Sequence, residues 1–238
     1  THRLHSDDAG ALHQAVDAAL ASHADTFLAE YRLWRDDGTM RWLQCDARIF
    51  RDANGVALRM TGILRDITAR KLREDADAAE TRRQQFLAAL DEQFRVPVDT
   101  LDVLQASANA LIGYLDARAV GFVAIDAATA RIVSLRTLVG DTAGQRLLPL
   151  KLRAFGVAAQ RKLLTAGAAA TLPRGRPRRS IGDAAVLLAP ILRGRVVVGG
   201  LWIEAPSERD WTASDLAVAE MVASRTAAAI EHARAELA

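Results

Sequence analysis

The sequence predicts an α+β protein in which a small antiparallel sheet and a second domain are joined by a long helix. Three observations lead to this prediction. Apolar and polar residues alternate over residues 25–67, and turn signals separate the alternating runs. Residues 68–94 are highly charged and contain no glycine or proline, as is typical of a helix. The runs VLL at 186–188 and VVV at 196–198 indicate strands that are covered on both faces.

The first domain is predicted to hold one helix and a three-stranded antiparallel meander. Ser6 is followed by two acids, which is a helix-start signal with a capping hydroxyl. The turn signals DDGT at 36–39 and NG at 54–55 then separate three strands. The side chains predicted to face the core are Leu12, Val16, Ala19 and Leu20 of the helix, Phe27, Ala29, Tyr31 and Leu33 of the first strand, and Leu43, Cys45, Ala47 and Ile49 of the second.

The charged helix is predicted to begin at Thr68 and to end before Pro97. Its apolar residues follow a weak heptad pattern, interrupted by two polar residues at core positions. The positions are Leu72, Ala79, Phe86 and Gln93, with Ala76, Arg83 and Leu90 between them. Two interpretations remain open: a solvated linker helix, or a coiled coil with a second copy of the chain.

The second domain is predicted to contain a helix at 101–115, strands at 119–126 and 130–139, a helix at 152–166 closed by Gly167, and strands at 168–172, 184–192 and 195–204. A last helix begins at Thr212, and Asp215 completes a variant of the capping box. Leu216, Ala223, Ile230 and Leu237 recur every seven residues, with Ala219, Thr226 and Ala233 between them. We therefore expect this helix to form the interface of a parallel homodimer.

Composition excludes several classes of function. The chain has 31 basic and 29 acidic residues, a net charge of +2, which gives no electrostatic reason to expect binding to nucleic acid or membrane. Cys45 is its one cysteine, so the chain can form neither an internal disulfide framework nor a multi-cysteine zinc site. The sequence contains no run of 18 apolar residues and no signal peptide pattern, and we expect a cytoplasmic location.

Four stretches of the first 71 residues resemble a PAS domain. They are HSDD at 5–8, EYRLWRDDGTMRW at 30–42, RDANG at 51–55 and TGILRDITARK at 61–71. The resemblance implies that residues 1–67 are the C-terminal part of a PAS domain and that residues 68–99 are a signalling helix. The first strands of a PAS domain would lie before Thr1, so we expect the sheet to have an open edge and an open apolar face.

Residues 100–238 resemble a GAF domain. The matching stretches are VGFVAID at 120–126, VLLAPILRGRVVVGGLWIEAP at 186–206 and ERDWTASDLAVAEMVASRTAAAIEHARAEL at 208–237. They are similar to the GAF domains that precede histidine-kinase cores of the HWE type. This implies the sensory and dimerisation region of a cytosolic two-component sensor histidine kinase whose kinase core is absent here. The alternatives are a sensor region for another output, such as a diguanylate cyclase or a phosphatase, and a freestanding regulator that binds a small ligand.

The sequence predicts no catalytic residue, no metal site and no required cofactor. It has no nucleotide-binding motif of the GxxxxGK[ST] type, so the chain by itself is not expected to be an enzyme. Cys45 is interpreted as a packed, inert thiol. Residues that could line a pocket are Leu43, Cys45, Ala47 and Ile49 in the first domain and Phe122 in the second. The concave GAF sheet could hold a small molecule or be filled by side chains.

Asp66, Ile67 and Thr68 are the predicted signal-coupling residues. Asp66 ends the third strand, where its carboxylate can bind a neighbouring basic group or a backbone amide. A change in that bond would alter the direction in which the following helix leaves the sheet.

Two further features of the sequence have open interpretations. The arginine-rich segment 174–179 is either a solvated loop or a contact for phosphates, and Trp34 and Trp42 form either a cross-strand pair or an interface.

Overall fold

A computed structural model describes residues 3–22, 24–95, 99–140, 150–173 and 184–236. The chain folds into two compact units, Thr1–Thr81 and Arg82–Ala238. Three residues or segments named above lie outside the described residues: Pro97, the arginine-rich segment and Leu237.

The first unit consists of helix α1 (Ser6–Ala21) and strands β1 (Thr26–Trp34), β2 (Met40–Arg51) and β3 (Ala57–Asp66). The strands form an antiparallel sheet in the order β1-β2-β3, which confirms the predicted meander. Gly38 and Gly55 have φ angles of 78° and 82° in the two hairpin turns. Glycine adopts this left-handed region without the steric cost that a Cβ atom brings, which is why these turn signals are reliable.

The start of α1 differs from the prediction. His5, and not Ser6, is the N-cap residue, since its Nδ1 accepts a hydrogen bond from the N–H of Asp7 at 3.3 Å. The imidazole also stacks on Trp34, with 5.9 Å between the ring centres. Trp34 lies opposite Met40 in the strand register and Trp42 lies opposite Arg32, so the two tryptophans are not directly paired across the hairpin.

The core of the first unit is small. Phe27, Ala47 and Ile49 are buried in it, and Leu12, Val16 and Ala19 of α1 pack against them. Leu20 was predicted on the same face but is exposed, because it lies at the end of the helix. Strand β3 is an edge of the sheet, and its side chains Leu58, Ile63 and Leu64 are 58–69% exposed. The described residues thus have the open edge and apolar surface that were predicted.

Helix α2 (Thr68–Gln93) begins at the predicted residue and crosses the division between the two units. Its heptad pattern divides into two parts. Leu72 near the start is 63% exposed, whereas Leu87 and Leu90 near the end are buried in the core of the second unit. The spacing alone could not distinguish these environments.

The second unit contains a six-stranded antiparallel sheet in the order β6-β5-β4-β9-β8-β7 within the described part of the chain. Its elements are α3 (Thr100–Tyr114), β4 (Ala119–Asp126), β5 (Arg131–Val139), β6 (Leu150–Lys151), α4 (Val157–Ala166), β7 (Ala170–Thr171), β8 (Ala184–Arg193), β9 (Val196–Pro206) and α5 (Ala213–Glu236). Leu187, Ile191 and Leu201 belong to the core cluster that α3 and α5 join, and Leu188 and Trp202 belong to the cluster that α4 joins. The sheet is therefore covered on both faces, as predicted.

The structure shows how two of the predicted helices begin. The helix expected at 152–166 is a 3₁₀ turn (Leu152–Phe155) followed by α4, because Gly156 between them has a φ of 103° that no helix accommodates. At the start of α5, Thr212 Oγ1 accepts from the N–H of Asp215 at 3.1 Å, and the Asp215 carboxylate accepts from the N–H of Thr212 at 2.9 Å. This is the predicted capping box.

The seven-residue spacing in α5 arises from packing within one chain. Ala223 is fully buried and Ile230 is 8% exposed, and both belong to the core that α3 and the sheet also form. Leu216 packs partly buried against the same core. Thr226 of α5 shares a hydrogen bond of 2.7 Å with Ser107 of α3. Leu216, Ala223 and Ile230, which were expected to face a second copy, are thus packed inside one chain, and the homodimer itself stays a prediction.

Candidate signal-coupling site

The predicted coupling residues lie where β3 passes into α2. Ile67, between strand and helix, is 5% exposed, and its N–H donates to the carbonyl oxygen of Trp42 at 2.9 Å. The Thr68 hydroxyl accepts from the N–H of Trp42, also at 2.9 Å. The carbonyl oxygen and the N–H of Trp42 on β2 are therefore both hydrogen-bonded to residues at the start of α2.

Asp66 makes one of the bonds expected from the sequence. Its Oδ1 accepts from the N–H of Thr68 at 2.9 Å. The hydroxyl and the N–H of Thr68 hold the pKa of Asp66 below its ordinary value, because both stabilise the ionised carboxylate. The described structure gives Asp66 a backbone amide as its partner, which is one of the two kinds of partner that the sequence suggested.

A second group of bonds, which sequence reasoning missed, connects the first turn of α2 to β1. The Glu30 carboxylate accepts from Lys71 Nζ at 2.7 Å and from Arg70 Nη2 at 2.6 Å. Lys71 and then Arg70 lower the pKa of Glu30. Glu74, one turn further along α2, also pairs with Arg70. The sequence signal was available: two bases lie in the first turn after Thr68, and Glu30 is an acid on the outward face of β1.

Trp42 connects these bonds to α1. Lys71 Nζ and the Arg32 guanidinium lie 5.3 and 5.5 Å from the centre of its indole ring. Each cation is attracted by the electron-rich face of the indole. Arg32 in turn donates to the Asp8 carboxylate of α1 from Nη2 at 2.5 Å and from Nε at 3.0 Å. A continuous series of polar contacts thus runs from α1, through two strands, to α2.

The Asp8 carboxylate should make the first unit sensitive to acid. The Arg32 guanidinium holds the pKa of Asp8 below its ordinary value. The folded-state pKa lies below the unfolded one, so this stabilisation is complete above the unfolded pKa and is lost as pH falls through the folded value. We expect Asp8→Asn to cost about 1–2 kcal/mol at neutral pH and to flatten the pH dependence of unfolding in the acid range below the ordinary pKa of an aspartate.

Urea unfolding followed by the backbone amide NMR signals of β1 and β2, which lie in the first unit, measures this effect. The matched control is Asp7→Asn, since the neighbouring Asp7 side chain is 68% exposed and lies 3.5 Å from Arg32. Asp7→Asn should leave the dependence of the unfolding free energy on pH nearly unchanged. If Asp8→Asn also left this pH dependence unaltered, the hydrogen bonds between Arg32 and Asp8 would contribute nothing to acid sensitivity.

The predicted pocket residues lie in the two separate units. Leu43, Cys45, Ala47 and Ile49 line one face of β2, where Ala47 and Ile49 are buried in the core beneath α1. Cys45 is half-buried, and desolvation raises the pKa of its thiol, which favours the unreactive neutral form. In the second unit, Phe122 lines an apolar cavity of about 160 Å³ beside α3 and α5.

The opposite face of the second sheet is packed with side chains, among them Trp202, Phe155 and Leu163. The ring centres of Trp202 and Phe155 are 6.2 Å apart in an edge-to-face arrangement. Within the described ranges, no group of three or more metal-binding side chains comes together. Across the same residues, every helix is too short or too polar to cross a membrane.

Comparison with known proteins identifies both folds. Residues 1–64 match the family model of the PAS fold. The phycoerythrobilin-bound GAF domain of a cyanobacterial phytochrome superposes with a TM-score of 0.50 and 14% identity, covering 67% of this chain and all of that one. The chromophore-binding domain of a bacteriophytochrome from R. palustris gives a TM-score of 0.50 and 13% identity over 99% of this chain and 82% of its own. At these identities the likeness concerns the fold alone.

A sensory box histidine kinase/response regulator from Burkholderia thailandensis E264 is 31% identical over 35% of this chain, with a TM-score of 0.32. This chain covers 63% of that structure. No curated protein sequence matches the chain significantly. The family match over residues 1–64 and the fold of the second unit agree with the two resemblances found in the sequence. The chain joins a PAS fold in its first unit to a GAF fold in its second.

Proposed function

We propose that this chain is the sensory, signal-transmitting and dimerisation region of a cytosolic two-component sensor histidine kinase. The observation that carries the proposal is the way helix α2 is held. Its first turn bonds to β2 through Thr68 and to β1 through Lys71, and its last turns bury Leu87 and Leu90 in the GAF core. One helix that is anchored in both units can pass a change of packing from one to the other.

The mechanism is conformational and needs no catalytic side chain in this chain. A stimulus that shifts β1 against β2 moves Glu30 relative to Trp42, and both bind the first turn of α2. The helix then turns or tilts between two packing states that differ by a few kcal/mol. Asp66, Ile67 and Thr68 act as couplers in this step. The GAF core receives the change, and α5 carries it towards a kinase core outside this chain.

The proposed homodimer uses surfaces that one chain leaves uncovered. Leu72, Ala76 and Ala79 follow the heptad spacing on the first half of α2 and are exposed. Pairing with a second copy would bury this seam. On α5, Ser224 and Ala228 are exposed and small, which permits a close approach of two helices. Ala223 and Ile230 would support the interface from within the core and would not form it.

The test is a fusion of the full chain to a histidine-kinase core placed after α5. Lys71→Gln removes the bond to Glu30 and the cation over Trp42, and Thr68→Val removes the acceptor of the Trp42 N–H. We expect each change to alter the autophosphorylation rate at least fivefold, since coupling energies of about 1–3 kcal/mol correspond to about 5–150-fold.

Arg73→Gln is the matched control, because Arg73 is exposed on the same helix two residues beyond Lys71. It should leave the rate within about twofold. Circular dichroism would verify that every variant is folded. Folded junction variants whose autophosphorylation equals that of the unsubstituted fusion would refute the role of this junction.

A further inference from the structure

The cavity beside Phe122 lies wholly within the second unit. It has a volume of about 160 Å³ between α3, α5 and the sheet. Leu104 of α3, Ile230 of α5 and Ile191 of β8 line it and are each less than 9% exposed. An apolar cavity of about 150 Å³ in another protein stays dry and binds benzene. The space beside Phe122 is therefore large enough for one aromatic ring.

Two small residues contribute to the surroundings of this space, one beside the Phe122 ring and one in the cavity lining. A Cβ atom at Gly199 would lie 2.6 Å from Cζ of Phe122, so the Phe122 ring rests against bare backbone at that position. Ala227 of α5 lines the cavity, where a larger side chain would take up part of its volume. The aromatic wall favours a flat ring as occupant, because aromatic rings gain from offset or edge-to-face packing beyond the area they bury.

The opening of the cavity is polar and carries a net positive charge. Arg193, Glu231 and Arg234 line it together with the apolar residues. Arg193 and Glu231 form a loose ion pair of 3.9 Å, and their side chains are 68% and 56% exposed. Two guanidinium groups and one carboxylate leave one positive charge in excess. A guanidinium binds a carboxylate through two parallel hydrogen bonds, and such charge-assisted bonds are the stronger kind.

We propose that this cavity binds a small aromatic carboxylic acid, with its ring against Phe122 and its carboxylate at Arg234. The two parts of the site match the two parts of such a molecule: a largely apolar lining that includes an aromatic ring, and charged side chains with a net positive charge. The site lies on the face of the sheet that α3 and α5 cover, away from the packed cluster around Trp202. The proposal is independent of the signalling role proposed above.

Methyl NMR of the full chain, titrated with phenylacetate, tests the site. We expect saturable shifts of the Leu104, Ile191 and Ile230 methyl groups, which line the cavity. Phenylacetamide has the same ring and no charge, and should bind at least about tenfold more weakly. Arg234→Gln should reduce the affinity for phenylacetate to that of the amide. Val198→Phe places a ring in the cavity and should abolish binding of both compounds.

Arg161→Gln is the control, because Arg161 is exposed on α4 and lies outside the cavity. It should bind phenylacetate as the unsubstituted chain does. Arg234 is exposed, so we expect Arg234→Gln to remain folded. This variant therefore tests the binding of the carboxylate even if Val198→Phe lowers the stability of the protein. The proposal fails if the cavity methyl groups show no saturable shift, if the amide binds as well as the acid, or if Arg234→Gln has no effect.

Discussion

A glutamate in place of Ala223 is expected to unfold the second unit. Ala223 is fully buried in α5, within the core that also contains Leu187 and Leu201. The longer side chain finds no space there, and its carboxylate would be buried without a partner. We expect the free energy of unfolding to fall by about 4 kcal/mol or more. Urea unfolding monitored by the amide signals of β8 and β9 measures the loss.

Ser224→Glu is the matched control for this substitution. Ser224 is the next residue of the same helix and is exposed. Its substitution should change stability by no more than about 0.5 kcal/mol. Sedimentation of both variants distinguishes the two possible roles of Ala223. If Ala223→Glu gave a stably folded monomer from a dimeric parent, Ala223 would face a second copy and the packing described above would be incorrect.

An alanine in place of Gly62 is expected to destabilise the first unit. Gly62 lies on β3 opposite Ala47 of β2. A Cβ atom there would lie 2.3 Å from the carbonyl oxygen of Asp46 and 2.6 Å from Cα of Ala47. These are backbone atoms, so β3 must move away from β2 to make room. We expect a loss of about 3 kcal/mol, at the upper end of the usual cost of overpacking.

Gly10→Ala is the control within the same unit and should have the opposite sign. Gly10 lies inside α1, and no atom is found within 4 Å of the position that its Cβ would occupy. Alanine there restricts the unfolded chain and favours the helix, which should stabilise the unit by about 0.5–1 kcal/mol. Thermal unfolding of the two variants provides the measurement. Equal melting temperatures would mean that β3 and β2 are farther apart at Gly62 than described.

The sequence was sufficient for the parts of the fold that depend on near neighbours. Alternation over β1 and β2 indicated which side chains face α1, because a strand turns its side chains to opposite faces in succession. Gly38, Gly55 and Gly167 marked turns and a helix end, because each takes a positive φ. The capping box of Thr212 and Asp215 involves residues three apart, and it was predicted with its partners. These signals are local in the chain.

The candidate site was predictable only in part, for the same reason. Asp66, Ile67 and Thr68 stand together in the chain, and their position between strand and helix was evident from the sequence. Glu30 lies 40 residues before Arg70, its hydrogen-bond partner, and no local pattern joins the two. The contacts of Arg32 and Lys71 with the Trp42 ring likewise depend on the strand register and on the direction of α2.

The apolar faces of the helices can be identified from the sequence, whereas the residues that cover those faces depend on the tertiary packing. The seven-residue spacing in α5 marked a buried face correctly, and Ala223 and Ile230 of that face pack in the core of one chain. In α2 the same spacing covers both an exposed and a buried half. Periodicity shows only that one face of a helix is apolar. Whether a sheet, another helix or a partner excludes the water depends on residues far away in the chain.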